Sequence, residues 1–377
     1  MTKGLISLVV FGPLIMIFSC GQRPYQGADS LFQTDTSFPV NYAKLFKIGH
    51  VEGHRAIVVL DPWDTTRVWG RYILIKRKEK VTVPKGYIPV YQPVRTVATT
   101  SSTLFSQLHF LGCLNRLTGV SDTAYIINPL VRLRIHKQLI TEIAVGNQIH
   151  DEQLIACDPD LAFFSLFPGL DFSKYETVGI KVLPLADYLE ATPLGRAEWI
   201  KFTGVLLGKE KEADSLFDKI ENNYLRIKEM ASKATTRPRI FDGMMDGSAW
   251  YVSAGRSYMA CLYNDAGLDY VFGDKEGTGS IPLGFEEVLN RTAGAEYWRI
   301  LKGEPGLNDR YDLVKIDSRY RLLNVFHQGK ILYCNVSKVP LYEEGNSRPD
   351  LLLADLLFLT HPELNPGYQP VYYHLLP

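Results

Sequence analysis

Hydrophobic positions follow two spacings along this chain. Short runs such as Leu161–Ser165 and Ile180–Pro184 are apolar almost without a break, as strands buried on both faces are, and Val94–Ala98 reads as a short strand beside them. Between them lie stretches with helical spacing: Leu104 to Leu111 ending at Gly112, then Glu152 to Ala156. Past the middle the alternation restarts. Pro238–Phe241, Ala249–Val252, Ala295–Ile300 and Lys330–Asn335 read as strands, and Tyr258 to Ala266, Leu283 to Leu289 and Pro349 to Leu359 as helices. Strands alternating with helices predict mostly parallel sheets. Residues 40–92 instead read as β-hairpins, with Arg55–Leu60 ending at the turn Asp61-Pro62 and Tyr72–Ile75 at a charged turn. The two alternating halves meet at residues 192–234. Thr192 is an N-cap type and Pro193 suits the first helical position. Leu194, Ala197, Trp199, Ile200, Phe202, Val205 and Leu206 cover most of the helix that follows, leaving Arg196, Glu198 and Lys201 as its wet stripe, with Gly208 as its stop. A second helix carries Ala213, Leu216, Phe217, Ile220, Tyr224, Ile227 and Ala231 on one face. The expected fold is α/β, two lobes around a helical centre.

Charge and cysteine content narrow the function classes. Lys plus Arg and Asp plus Glu both number 41, so no broad field attracts nucleic acid or an anionic membrane. At the N-terminus Lys3 precedes an apolar run, Leu5 to Phe18, broken by Gly12 and Pro13. It is too short and interrupted for a comfortable span and reads as an export signal. Ile17-Phe18-Ser19 before Cys20 resembles a bacterial lipobox. That resemblance implies removal of residues 1–19 and lipidation of Cys20, which would then anchor the chain to a membrane. Residues 20–92 would be a polar tether followed by the β-rich extension. The other cysteines, Cys113, Cys157, Cys261 and Cys334, are widely spaced, which disfavours zinc. An oxidising compartment permits disulfides, while their apolar settings fit buried thiols equally well.

Catalytic signatures are missing. The chain has no G-x-S-x-G, no Walker A loop and no H-E-x-x-H, and GTGSIP at 277–282 puts Pro282 where a dinucleotide fingerprint needs glycine. Asp242, Asp246 and Glu296 are the carboxylates an exported α/β hydrolase would use, without a nucleophile–base pairing to support it. The eight histidines are scattered. Of these, His109, His136 and His150 lie in the first half, but outside the loops expected to line a cleft, which weighs against a zinc or manganese site.

Taken in order, the lipobox, VRTVATTSSTLFSQLHFLGCLNRLTGV (94–120), EQLIACDPDLAFF (152–164), PLGRAEWIKFTGVLLGKEKEADSLF (193–217), WYVSAGRSYMACLYNDAGLDYVFGDKEGTGSIPLGFEEVL (250–289) and HPELNPGYQPVYYHL (361–375) resemble substrate-binding proteins of ABC importers for iron complexes and cobalamin, in the form found in Bacteroidetes-type bacteria. The resemblance implies two Rossmann-like lobes, residues 93–191 and 209–377, joined by one backbone helix at 192–208, with a ligand cleft between them. It implies a periplasmic receptor, not an enzyme, with no cofactor of its own. The receptor would act as a monomer, capturing a ferric siderophore, haem or cobalamin and delivering it to an ABC permease and its ATPase. Glu152, in the pattern E-x-x-x-A-x-x-PD, and Glu286, near a position where Gly284 replaces the usual Ser, would dock the permease; Glu287 is a neighbour easily confused with Glu286. Loops after strands should line the cleft. The expected contacts are Ser101, Ser102 and Tyr125 from the first lobe and Trp250, Arg256 and Ser257 from the second, with the Trp250 indole against a flat ligand.

Overall fold

The computed structural model describes residues 31–169 and 171–377. The export signal and Cys20 lie outside the described residues. Two α/β lobes are present, each built on its own twisted, largely parallel sheet, and a third, N-terminal sheet packs beside them.

The first-lobe sheet has the order Val182–Leu185, Leu161–Ser165, Val97–Thr99, Leu117–Ser121, Thr141–Val145, Gln148–Ile149. Its first five strands are parallel and the last pairs antiparallel. Strand order reverses between Val97–Thr99 and Leu161–Ser165, so the loops after these two strands part and leave a crevice at their carboxyl ends. In the second lobe the order is Asp269–Tyr270, Arg239–Asp242, Tyr297–Leu301, Lys330–Cys334, His374–Leu376, with only the last pairing antiparallel. Here the reversal falls between Arg239–Asp242 and Tyr297–Leu301. A separate antiparallel ribbon, Met244–Asp246, Ala249–Ser253 and Ser280–Leu283, branches from this lobe.

Residues 31–92 form a five-stranded sheet of Gln33–Thr34, Phe46–Val51, His54–Leu60, Val68–Lys76 and Ile88–Gln92. Its period-two pattern serves two cores. Ile57, Val59, Tyr72 and Leu74 point into the core shared with the first lobe, whereas Ala56, Ile73 and Ile75 join a small cluster on the other face.

The central helices begin as expected. Thr192 Oγ1 accepts from Gly195 N at 3.1 Å, Pro193 takes the first position, and Gly208 ends the second segment at φ +69°. Two features differ. The helix is interrupted at Glu198, between Pro193–Ala197 and Trp199–Leu207. The stripe assigned to solvent is buried as well: Glu198 and Lys201 are 0% and 3% exposed. The reason is the N-terminal segment. Glu198 accepts from the backbone N–H groups of Asn41, Tyr42 and Ala43, and Glu190 from those of Lys44 and Leu45, so two carboxylates hold five consecutive amides. Lys201 Nζ donates to Pro39 O and pairs with Asp214.

Bridging extends beyond residues 192–208. The long helix Glu210–Ala231 places Ala213, Phe217 and Ile220 in the core of the first lobe and N-terminal sheet, and Tyr224, Ile227 and Ala231 in the second-lobe core. Its 22 residues span about 33 Å at ~1.5 Å per residue. Membership of the second lobe, expected from residue 209 on, therefore begins near Tyr224. The cysteines Cys113, Cys157, Cys261 and Cys334 are free thiols, the first and last buried.

Candidate functional site

A cavity of about 470 Å³ lies between the lobes. Its first-lobe wall is Thr100–Thr103 from the loop after Val97–Thr99 and Ser165 and Phe167 from the loop after Leu161–Ser165, the two loops parted by the strand reversal. Arg196 comes from the linking helix. Arg299 and Leu301 come from the carboxyl end of Tyr297–Leu301, beside the corresponding reversal in the second lobe. Both sheets thus open into one crevice because their topologies turn there.

The wall combines arginine with tyrosine. Arg299 is 7% exposed; its Nε donates to Tyr373 Oη at 2.6 Å, and its Nη1 lies 3.8 Å from Asp242 Oδ2. Burial acts to discharge this guanidinium, but Tyr373, Tyr263 and Asp242 together outweigh it and hold it charged. Arg196 stacks 4.0 Å from the centre of the Tyr258 ring, and its Nη1 donates to Asn346 Oδ1. Burial pulls its pKa down, opposed by Tyr258, Asp187 and Glu190. The Tyr188 hydroxyl donates to Leu166 O, and its pKa is pushed up to about 12, by burial first and then by the nearby Asp187. The lining contains no aspartate, glutamate, histidine or cysteine. A donor set of arginines, hydroxyls and aromatic faces suits an anionic, partly apolar ligand and does not suit a bare cation. Among the described residues no group of three or more His, Cys, Asp or Glu side chains comes together.

Segment 341–347 of the second lobe reaches across to the first. Glu343 Oε1 accepts from Ile127 N at 2.8 Å and Asn128 N at 3.3 Å, Ser347 and Ser106 hydroxyls meet at 2.8 Å, and Asn346 Nδ2 donates to Asp187 Oδ2 at 3.1 Å. These bonds hold the lobes together around the cavity.

Of the residues expected at the site, Ser101 and Ser102 line the cavity. Tyr125 is 82% exposed and borders a smaller neighbouring chamber. Trp250, expected against a flat ligand, does not line the cavity. It is fully buried in the second-lobe core against Phe241, Phe285, Trp298 and Tyr320, and its indole N–H donates to Asp242 O. The ribbon that carries it turns this face inward. Arg256 is exposed and outside the lining, and Ser257 is buried as the N-cap of Tyr258–Asp265, accepting from Ala260 N. Its neighbours Tyr258 and Met259, at the start of that helix, reach the cavity. Asp242, considered for hydrolysis, is saturated by Ser253, Tyr263, Tyr270 and Arg299, while Asp246 is exposed on the ribbon and Glu296 lies outside the cavity. Glu152 and Glu286 are exposed in the first turns of Asp151–Cys157 and Phe285–Arg291; Glu287 pairs with Lys275.

The periplasmic binding protein family matches residues 97–335, more than half of the chain. The chain belongs to this family. The binding protein also resembles an uncharacterized lipoprotein of Methanocaldococcus jannaschii, 28% identical over 237 residues, which make up 60% of this chain and 54% of that relative. The match thus spans about half the length of the relative. Among solved structures, a periplasmic heme-binding protein from Pseudomonas aeruginosa matches with a TM-score of 0.59 at 17% identity, covering 75% of this chain and 98% of its own. The ABC-type Fe3+-hydroxamate transport system structure from Saccharomonospora viridis matches with a TM-score of 0.55 at 18% identity, covering 71% and 93%. These two establish the two-lobed fold.

Proposed function

We propose that this binding protein captures an anionic metal chelate, a ferric siderophore or haem, and presents it to an ABC permease. The observation that carries the reading is the convergence of Arg196 and Arg299 on one interlobe cavity lined otherwise by tyrosines, uncharged polar groups and apolar side chains. A chelate offers peripheral carboxylates or catecholate oxygens to the arginines and a broad face to the rings. The protein makes and breaks no bond; the lobes hold the ligand until the permease takes it. Cobalamin, a corrinoid with much less anionic periphery, is favoured less by this pair. The heme and Fe3+-hydroxamate descriptions of the structural relatives support a metal chelate as the ligand class.

Cys20 is read as the lipid anchor, in agreement with the lipoprotein name of the archaeal relative. Glu152 and Glu286 are read as the permease contacts, one on each lobe. Titrating the purified protein with haem, several ferric siderophores and cyanocobalamin, following tryptophan fluorescence, tests the ligand class. Saturable binding of an anionic chelate that weakens at least about tenfold in Arg299→Met is expected. Tight binding of cyanocobalamin alone would replace the proposal.

A further inference from the structure

A smaller chamber of about 190 Å³ adjoins the main cavity and shares Thr100, Ser102 and Tyr342 with it. Its own walls include Ser121, Asp122 and Tyr125 of the first lobe and Glu343 of the second. The two spaces carry opposite charge. The main cavity has two arginines and no carboxylate, whereas the chamber has two carboxylates and no Lys, Arg or His in its lining.

The carboxylates are not equivalent. Asp122 lies at its loop with φ +50° and accepts from Gly146 N, a bond that shapes the turn. Glu343 is only 4% exposed, and just one of its oxygens is used: Oε1 accepts from Ile127 N and Asn128 N, while Oε2 is buried with no hydrogen-bond partner among the described residues. Buried acceptors are almost always paired, so an unpaired carboxylate oxygen in a chamber wall marks the place of an absent donor. Burial pushes the Glu343 carboxyl up, opposed by the two amides. A cation beside it would favour the charged form.

We propose that this chamber is a subsite for a protonated amine arm on the ligand, bound by Glu343 Oε2, while the body of the ligand occupies the cavity of Arg196 and Arg299. The body of that ligand rests on the metal-chelate reading; the arm does not. The cleft would then prefer ligands that are anionic at one end and cationic at the other.

The test uses a ferric tricatecholate, anionic at its metal centre, with a free primary amine, the same chelate N-acetylated, and n-butylammonium chloride as the arm without a body. Glu343→Gln keeps an oxygen for the Ile127 and Asn128 amides and puts an NH2 donor in place of Oε2. Expected are a preference of the unaltered protein for the free amine of about tenfold or more and a ratio near one in Glu343→Gln. The acetylated chelate should bind both proteins alike. Butylammonium should raise the melting temperature of the unaltered protein and not of the variant. Equal affinity of the unaltered protein for the two chelates overturns the subsite. If neither chelate binds, butylammonium decides. Selective stabilisation of the unaltered protein upholds the subsite while the metal-chelate reading falls, and no selective stabilisation overturns the subsite too.

Discussion

Asp187 is fully buried beneath the interlobe contacts, and its Oδ1 has no hydrogen-bond partner among the described residues. Burial raises its pKa, opposed by Asn346, Thr103 and Arg196. The folded chain therefore binds this proton more tightly than the unfolded one, whose aspartates titrate near ~3.9. Stability from this group is present below that value and is lost as pH rises through the higher folded pKa. Asp187→Asn should remove the loss. Melting curves between pH 4 and 8 should show the variant gaining on the unaltered protein as pH rises, and parallel curves would refute the assignment. Trp250 gives a second residue-scale expectation. Because it belongs to the core, Trp250→Phe should cost on the order of 1–3 kcal/mol through lost volume and an orphaned Asp242 carbonyl. Ligand affinity should stay within about twofold; a loss above tenfold would return Trp250 to the site.

Among the elements, the linking helix and the N-terminal sheet depend on each other. A helix face bearing Glu198 and Lys201 buries well only because segment 39–45 arrives with backbone amides and a carbonyl to meet those charges. Glu198→Ala leaves three amides without an acceptor, at about 1–3 kcal/mol for each that stays buried. Limited proteolysis should then cut within residues 31–92 before either lobe is attacked, whereas an unchanged cleavage pattern would show that the sheet is held by its apolar face alone. This coupling was not readable from one stretch of chain. Arg196, Glu198 and Lys201 have the spacing of a solvated stripe, and spacing alone does not reveal what covers a charge. Strands and caps were more legible. Leu161–Ser165 coincides with its expected span, and the Thr192, Pro193 and Gly208 signals all operate. Thr141–Val145, one strand in from its sheet's edge, and His374–Leu376, at an edge, carry too little pattern to be anticipated.

For the whole molecule, the interlobe bonds of segment 341–347 and the long helix Glu210–Ala231, rooted in both cores, favour small closing motions over wide ones. Under the proposed function, such a receptor would present a nearly fixed surface to a permease. Replacing Glu152 and Glu286 together by Ala should abolish ligand uptake by cells while leaving affinity within about twofold; a large affinity loss would place them in ligand binding instead. By itself the sequence determined the alternation of elements, the two lobes, the helical centre and the first-lobe loop of Ser101 and Ser102. Those properties follow from local periodicity and from where parallel strands end. Tertiary structure alone decided that Trp250 is core, that Arg196 and Arg299 share a cavity, and that Glu343 reaches the opposite lobe. Each depends on which face of an element meets a segment more than a hundred residues away, and side-chain spacing within one element holds no record of that distant partner.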